Sequence, residues 1–163
     1  MSAVPVRSAL LGATLLVCAC GHSVSPATRS DVTDSVRQFA RQVEHDVTRE
    51  GPAAWHRHFV IAPAFFMASN GQLVFSSGTA ASHGIDDLSR SIKSIELRWG
   101  DDLRVDPLSS DLAVLAASWS ELRVMADGTR VTDHGYFTGV AERRNGHWKF
   151  RDAHWSAVPQ KTP

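Results

Sequence analysis

Cysteine is nearly absent: the 163-residue chain has two, Cys18 and Cys20, both within its first twenty residues. If a leader is removed before Cys20, one thiol remains, no intrachain disulfide can form, and packing alone must hold the fold. An excess of one charge is also missing, because 17 Lys and Arg balance 17 Asp and Glu. No global field would then draw the protein onto nucleic acid or an anionic surface, which argues against a nucleic-acid partner. The apolar run Ala9 to Val17 falls well short of the roughly 20 residues that a bilayer-spanning helix needs. There is no G-x-S-x-G, no phosphate-binding glycine loop and no Cys-His nucleophile arrangement. His22, His45, His83 and His147 lack metal spacing, and His56 and His58, two apart on a predicted helix, point to different sides. Neither a metal nor a cofactor is implied.

What is present begins with an address. A single positive charge at Arg7, the apolar run and a small-residue end read as an export signal. Val17-Cys18-Ala19-Cys20 resembles the bacterial lipobox, where cleavage precedes a cysteine that then receives lipid. Cys20 is the match, since small Ala19 precedes it whereas bulky Val17 precedes Cys18. The alternative is an ordinary cleaved signal with a leftover thiol. The expected organisation is a signal peptide over 1–19, a polar tether over 20–30 carrying the lipidated Cys20, and one domain over 31–158. The protein would then be exported and anchored on the periplasmic side of the bacterial envelope, touching the membrane only through its lipid. Loss of Arg7 and of no acid leaves 16 basic and 17 acidic side chains, a formal charge of −1.

Val32, Val36, Phe39, Val43 and Val47 recur at spacings of three and four, which predicts a helix starting near Ser30. Gly51 suits its end and Pro52 the first turn of a short second helix over Pro52 to Phe59. Asn70-Gly71, a pair favoured in two-residue hairpin turns, predicts a hairpin between Phe65–Ser69 and Gln72–Ser76. Ile85, Leu88 and Ile92 place a third helix over Thr79 to Lys93. The period then becomes two, and Ser94 to Asp106, Asp111 to Met125, Arg130 to Arg144 and His147 to Trp155 read as strands of an antiparallel meander.

Two-residue turns at Asn145-Gly146 and Asp127-Gly128 would set the register. The first opposes Ala141 to Phe150, Gly139 to Asp152 and Phe137 to His154 on an apolar face, taken as the core. The second opposes Ser118 to Phe137, Trp119 to Tyr136 and Glu121 to His134. On this register His154 and Asp152 share an inward face with Ser118, Ser120, Phe137, Phe150 and Trp148, whereas Trp119, Tyr136 and Trp155 line up outside. A bulge would shift one strand by a residue and reverse its faces.

Helices first, a small hairpin, a helix, then long strands ending in NGHWKFRDAHWSAVP: this order resembles SnoaL-like, ketosteroid-isomerase-like domains of the nuclear transport factor 2-like superfamily. The resemblance covers about Asp31 to Val158. It implies an α+β fold, a cone-shaped curved antiparallel sheet wrapped around N-terminal helices, with a pocket between them and frequent dimerisation through sheet faces. Trp119, Tyr136 and Trp155 would anchor such a homodimer. The pocket suits a small apolar molecule, held by a binding or interaction module without turnover. The alternative is an isomerase, dehydratase or cyclase acting by acid/base chemistry, with His154 and Asp152 as the catalytic couple. A core His154 satisfied by Asp152 or a main-chain group is the competing structural reading. The isomerase pairing of a tyrosine with a protonated aspartate does not carry over, because Tyr136, the only tyrosine, falls outside on this register.

The lipobox match generates a direct test. Cys20→Ala should abolish fatty-acid labelling and release the protein from the membrane fraction, and a soluble, unlabelled wild-type protein would overturn the anchor.

Overall fold

In the computed structural model, which describes residues 24–159, helix α1 spans Pro26–Glu50 and starts some four residues earlier than its apolar stripe indicates. Ser25 caps it, its hydroxyl accepting the Thr28 N–H at 3.2 Å, and Pro26 fits the first turn where no N–H is needed. Half of the expected tether is therefore helical, while Cys20 lies outside the described residues. The stripe itself behaves as its spacing requires: Val32, Val36, Phe39, Val43 and Val47 are buried.

A 3-10 turn over Pro52–Ala54 leads into α2, Trp55–His58, one turn long. Strands β1 (Phe66–Ser69) and β2 (Gln72–Phe75) form the expected hairpin, with Asn70 and Gly71 at positive φ. Helix α3 runs over Gly78–Ser91, capped by Ser77. The strand expected over Ser94 to Asp106 is two, β3 (Ile92–Trp99) and β4 (Arg104–Pro107). Asp102 braces the break, accepting both the Ser118 N–H and its hydroxyl at 2.9 and 2.7 Å. Strands β5 (Leu112–Met125), β6 (Arg130–Arg144) and β7 (His147–Ala157) complete the chain.

The result is an α+β cone: three helices against a curved, unclosed sheet in the order β2-β1-β7-β6-β5-β3, with β4 beside β5. The sheet is mixed rather than purely antiparallel, because β1 runs parallel to β7. Helix α1 is tied to β3 by Thr48, whose hydroxyl meets the Leu97 main chain, and by Glu44, which accepts the Trp99 N–H at 3.0 Å. The Trp99 indole donates to the Ala40 carbonyl at 2.9 Å.

Two register shifts correct the expected faces. The β5–β6 loop has three residues, not two. The Met125 N–H donates to Thr129 O at 2.8 Å, Asp127 Oδ1 accepts the Thr129 N–H at 2.8 Å, and Gly128 takes φ +87°. Val124 thus opposes Arg130, Trp119 opposes Gly135, and Ala117 rather than Ser118 opposes Phe137. Strand β5 is turned over: Ala113, Leu115, Ala117 and Trp119 are buried, while Ser118 and Ser120 face away from the helices.

The second shift lies in β7. The turn at Asn145-Gly146 is the expected one, with Arg144 opposite His147 and both turn residues at positive φ. Between Ala141↔Phe150 and Val140↔Asp152, however, Arg151 is an extra residue, a bulge that reverses the strand's facing from there on. Phe150 is fully buried, Arg151 exposed, Ala153 buried and His154 exposed. His154 opposes Thr138, and Phe137 opposes Trp155. His154 and Asp152 therefore lie on the sheet face turned away from the helices, and the inward placement expected for them does not hold. The expected outer aromatic patch is also dissolved: Trp119 is 8% exposed, Trp155 turns inward, and Tyr136 alone stays outside at 41%.

Gly135 makes the second register possible. A Cβ there would come 1.7 Å from the main-chain oxygen of Ser156. Gly135→Ala should therefore cost about 1–3 kcal/mol by overpacking against backbone that cannot step aside. Chemical denaturation reads this directly, and an unchanged midpoint would show that the β6–β7 pairing does not need the gap.

Candidate functional site

Inward-facing positions of β5 continue past Trp119 to Glu121 and Arg123, so the core strand becomes ionic as it leaves the packed centre. Trp55 and Phe59, at the start and end of the α2 turn, approach from the helical side, and Trp155 comes from β7. These residues, with Met67 and Phe75 of the hairpin, Ile85 and Leu88 of α3 and Ile95 of β3, line a partly open interior cavity of about 680 Å³. That volume holds a small organic molecule.

The polar groups of the cavity gather on β5 and β6. Arg123 Nε lies 2.8 Å from Glu121 Oε1, close enough to pair but not aligned as a hydrogen bond, and the guanidinium also pairs with Asp133. Glu121 and Asp133 are cross-strand neighbours. Burial pushes the Glu121 carboxyl above its ordinary range, the nearby Asp133 adds to this, and Arg123 opposes it. Trp119 also lines this wall, but its indole N–H is buried away from solvent and has no hydrogen-bond partner among the described residues.

A second concavity, of about 820 Å³, opens between α1, α2 and the β6–β7 turn. Here Asp46 and His58, each 6% exposed, meet with His58 Nε2 3.2 Å from Asp46 Oδ2. The one-turn α2 leaves His58 beneath the last turns of α1, between the rings of Phe39 and Trp55 at centroid distances of 5.9 and 6.5 Å. Asp46 also receives Gln42 Nε2 at 2.7 Å and lies 3.4 Å from Arg57. Burial alone would raise the Asp46 carboxyl, but its bonds with His45, Gln42 and Arg57 hold it below its ordinary value. His58 is lowered, chiefly by burial and also by the charges of Arg57 and Lys149, against the pull of Asp46. Among the described residues, no group of three or more His, Cys, Asp and Glu is arranged to hold a metal ion.

Of the residues marked out by sequence, Phe137 and Phe150 are fully buried core and reach neither concavity. Ser118 and Ser120 face away, and Asp152 and His154 line neither space. Trp148 does line the open groove, its indole donating to Ser35 Oγ at 3.0 Å beneath the Arg143 guanidinium, 4.7 Å from the ring centroid. Trp119 and Trp155, expected at a dimer interface, line the interior cavity instead. Glu121, which a two-residue loop would set outside against His134 as a cross-strand polar contact or catalytic pair, instead faces inward opposite Asp133, and with it Arg123, because the loop has three residues. The two histidines of α2 do separate, His56 to Asp86 at 2.9 Å and His58 to Asp46. The Asp46–His58 contact leaves no local sequence signal.

Solved structures share this architecture. The chain superposes on a nuclear transport factor 2-like superfamily protein from Salmonella enterica serovar Typhimurium with a TM-score of 0.63 at 12% identity, covering 83% of this chain and 94% of that one. The fold is nuclear transport factor 2-like. A hexachlorocyclohexane dehydrochlorinase, LinA type 2, matches with a TM-score of 0.63 at 14% identity over 80% of this chain and 87% of its own. A nuclear transport factor 2-like protein of unknown function from Shewanella oneidensis matches at 0.55 and 18% identity, over 76% and 97%. At such identities the likeness establishes the fold alone. No protein-family model and no curated protein matches the sequence.

The buried histidine makes stability depend on pH in a definite direction. Because its pKa in the folded chain lies below the ordinary 6.5, the unfolded chain binds the proton more readily. Stability should be full above about pH 7 and fall as the pH drops below 6.5 toward the folded value, by about 1.4 kcal/mol for each tenfold disfavouring of protonation. His58→Gln, which retains a donor for Asp46, should flatten that decline between pH 7.5 and 5.5 in thermal melts. An identical slope in the variant would remove His58 as its source.

Proposed function

We propose that this domain binds a small, largely apolar molecule in the interior cavity and holds it without turnover, outside the cytoplasm and tethered by lipid at Cys20. The observation that carries the reading is a partly open pocket of about 680 Å³, walled by Trp55, Phe59, Trp119 and Trp155, with an ion cluster at one side. A cavity of this size lined by aromatics, with a few convergent polar groups, is the usual form of a small-molecule site. The address rests on the lipobox match alone. Among the described residues no helix is long and apolar enough to cross a membrane.

A second reading, an isomerase, dehydratase or cyclase using acid/base chemistry, is favoured by one observation, the buried Asp46–His58 pair beside an open groove. A carboxylate that orients an imidazole is the arrangement general base catalysis uses. LinA, a dehydrochlorinase, shares the fold.

Leu88 lines the cavity yet is 37% exposed, so a larger side chain there can narrow the space without straining the core. Wild-type protein should bind the neutral dye Nile red with quenching of tryptophan emission, and Leu88→Trp should weaken that binding several-fold at unchanged melting temperature. Equal binding by the variant would place the dye elsewhere, and no binding by wild type would overturn the cavity as a ligand site. Native mass spectrometry of gently purified protein should show a retained molecule, and its recovery in chemically altered form would favour the enzyme.

A further inference from the structure

We propose that the open groove beside α1 is a second ligand site, one that takes a singly charged carboxylate on an apolar frame. It stands apart from the interior cavity, and neither reading needs the other. Arg57, Arg143, Arg144 and Lys149 line the groove, and the one carboxylate among its lining residues is Asp46, buried and already held by Gln42 and His58. What faces the open space is therefore cationic. Three of the four cations have acids of their own outside the groove: Arg57 donates to Glu50 at 2.6 Å, Arg144 to Glu142 at 2.9 Å, and Arg143 stands 4.0 Å from Asp111. Lys149 is different. Glu142 lies directly across the β6–β7 ladder from it, yet that carboxylate is bonded to Arg144, and among the described residues no acid comes within ion-pairing distance of the Lys149 ammonium. The residue is half-buried nonetheless, and its charge reaches His58, where with burial and Arg57 it disfavours the proton.

The neighbours of Lys149 are fixed in place. Ser35 Oγ accepts both the Arg143 guanidinium at 3.3 Å and the Trp148 indole at 3.0 Å, while its own hydrogen goes to the Val32 carbonyl at 3.0 Å. With the guanidinium also seated over the indole, a donor fork is held at the groove before any ligand arrives, and charge-assisted bonds from such a fork suit a carboxylate. One unmatched cation calls for one negative charge. A phosphate dianion would bring more charge than the groove leaves open, and an amine would meet four cations. The remaining walls are apolar: Val60, Phe39, Trp148 and Ile61, which is 64% exposed and would be covered by a hydrocarbon chain. Carboxylate and hydrocarbon on one molecule answer both parts of the groove.

The test uses three probes on one carbon skeleton, 4-phenylbutyrate, 4-phenylbutan-1-ol and 4-phenylbutylamine, titrated into the wild-type protein in phosphate-free buffer at pH 7.5. Calorimetry gives the affinities, and NMR follows the Trp148 indole N–H, recognised by its loss in Trp148→Phe. The butyrate should bind about fivefold or more tightly than the alcohol and shift the Trp148 signal, and the amine should bind most weakly. Lys149→Gln should bring the butyrate close to the alcohol, and Lys149→Arg should keep its advantage. Leu88→Trp, at a residue that lines the interior cavity and not the groove, should leave the butyrate unaffected. A butyrate advantage that survives Lys149→Gln, or one that disappears in Leu88→Trp, would overturn the groove as its site. Inorganic phosphate that displaces the butyrate at equal concentration would overturn the singly charged, partly apolar ligand. An alcohol that binds as well as the butyrate, or a butyrate that does not bind, would overturn the proposal outright. Nile red reads the interior cavity, so that reading stands or falls separately.

Discussion

The extra residue at Arg151 is the constraint on which the interior depends. With strict alternation along β7, Phe150 and Trp155 would face opposite sides of the sheet. The bulge lets both turn toward the helices. Trp155 then meets Phe137 at 4.5 Å, Trp119 at 5.2 Å, Trp99 at 5.6 Å and Trp55 at 5.9 Å between ring centroids. Aromatic contacts of this kind contribute about 0.5–1.5 kcal/mol each beyond the area they bury. They also join four strands to the α2 turn. A bulge bends and twists its strand, so the same residue that brings Trp155 inward helps to curve the sheet around the helices.

The cavity and the groove lie on either side of the short segment from Pro52 to Phe59. One helical turn sends Trp55 and Phe59 to the interior cavity and His58 to the groove under α1, since residues four apart share a face and the residue between does not. The interior is apolar with an ionic cluster; the groove mixes apolar surface with basic and amide side chains over a buried acid and imidazole. Each uses groups from elements distant in sequence, Asp46 with His58 across a helix end and Glu121 with Asp133 across a hairpin. Similar architecture therefore offers two different chemistries, and geometry rather than fold decides between them.

Much of the architecture was legible because it follows local rules. The stripe of α1, the hairpin at Asn70-Gly71, the helix before β3 and the change to a period of two each answer to nearest-neighbour stereochemistry, and the resemblance of their order to the nuclear transport factor 2-like fold holds in three dimensions. The core status of Phe137, Phe150 and Ala141 follows from the same turn at Asn145-Gly146 that sets their pairing. Faces further from that turn were not legible. A single residue, added in the loop at Asp127-Gly128 or bulged at Arg151, exchanges the two sides of a strand.

By itself, then, the sequence determined which segments become helix or strand, where the chain turns, and that the apolar stripes must meet, since periodicity and turn chemistry act over a few residues. Tertiary structure decided which side of β5 and β7 meets the helices, placing Trp119, Glu121 and Arg123 inside and His154 outside. It also decided that Asp46 would find His58. Those outcomes depend on the burial of whole faces and on curvature, which set a one-residue register that short-range preferences leave nearly equal in energy.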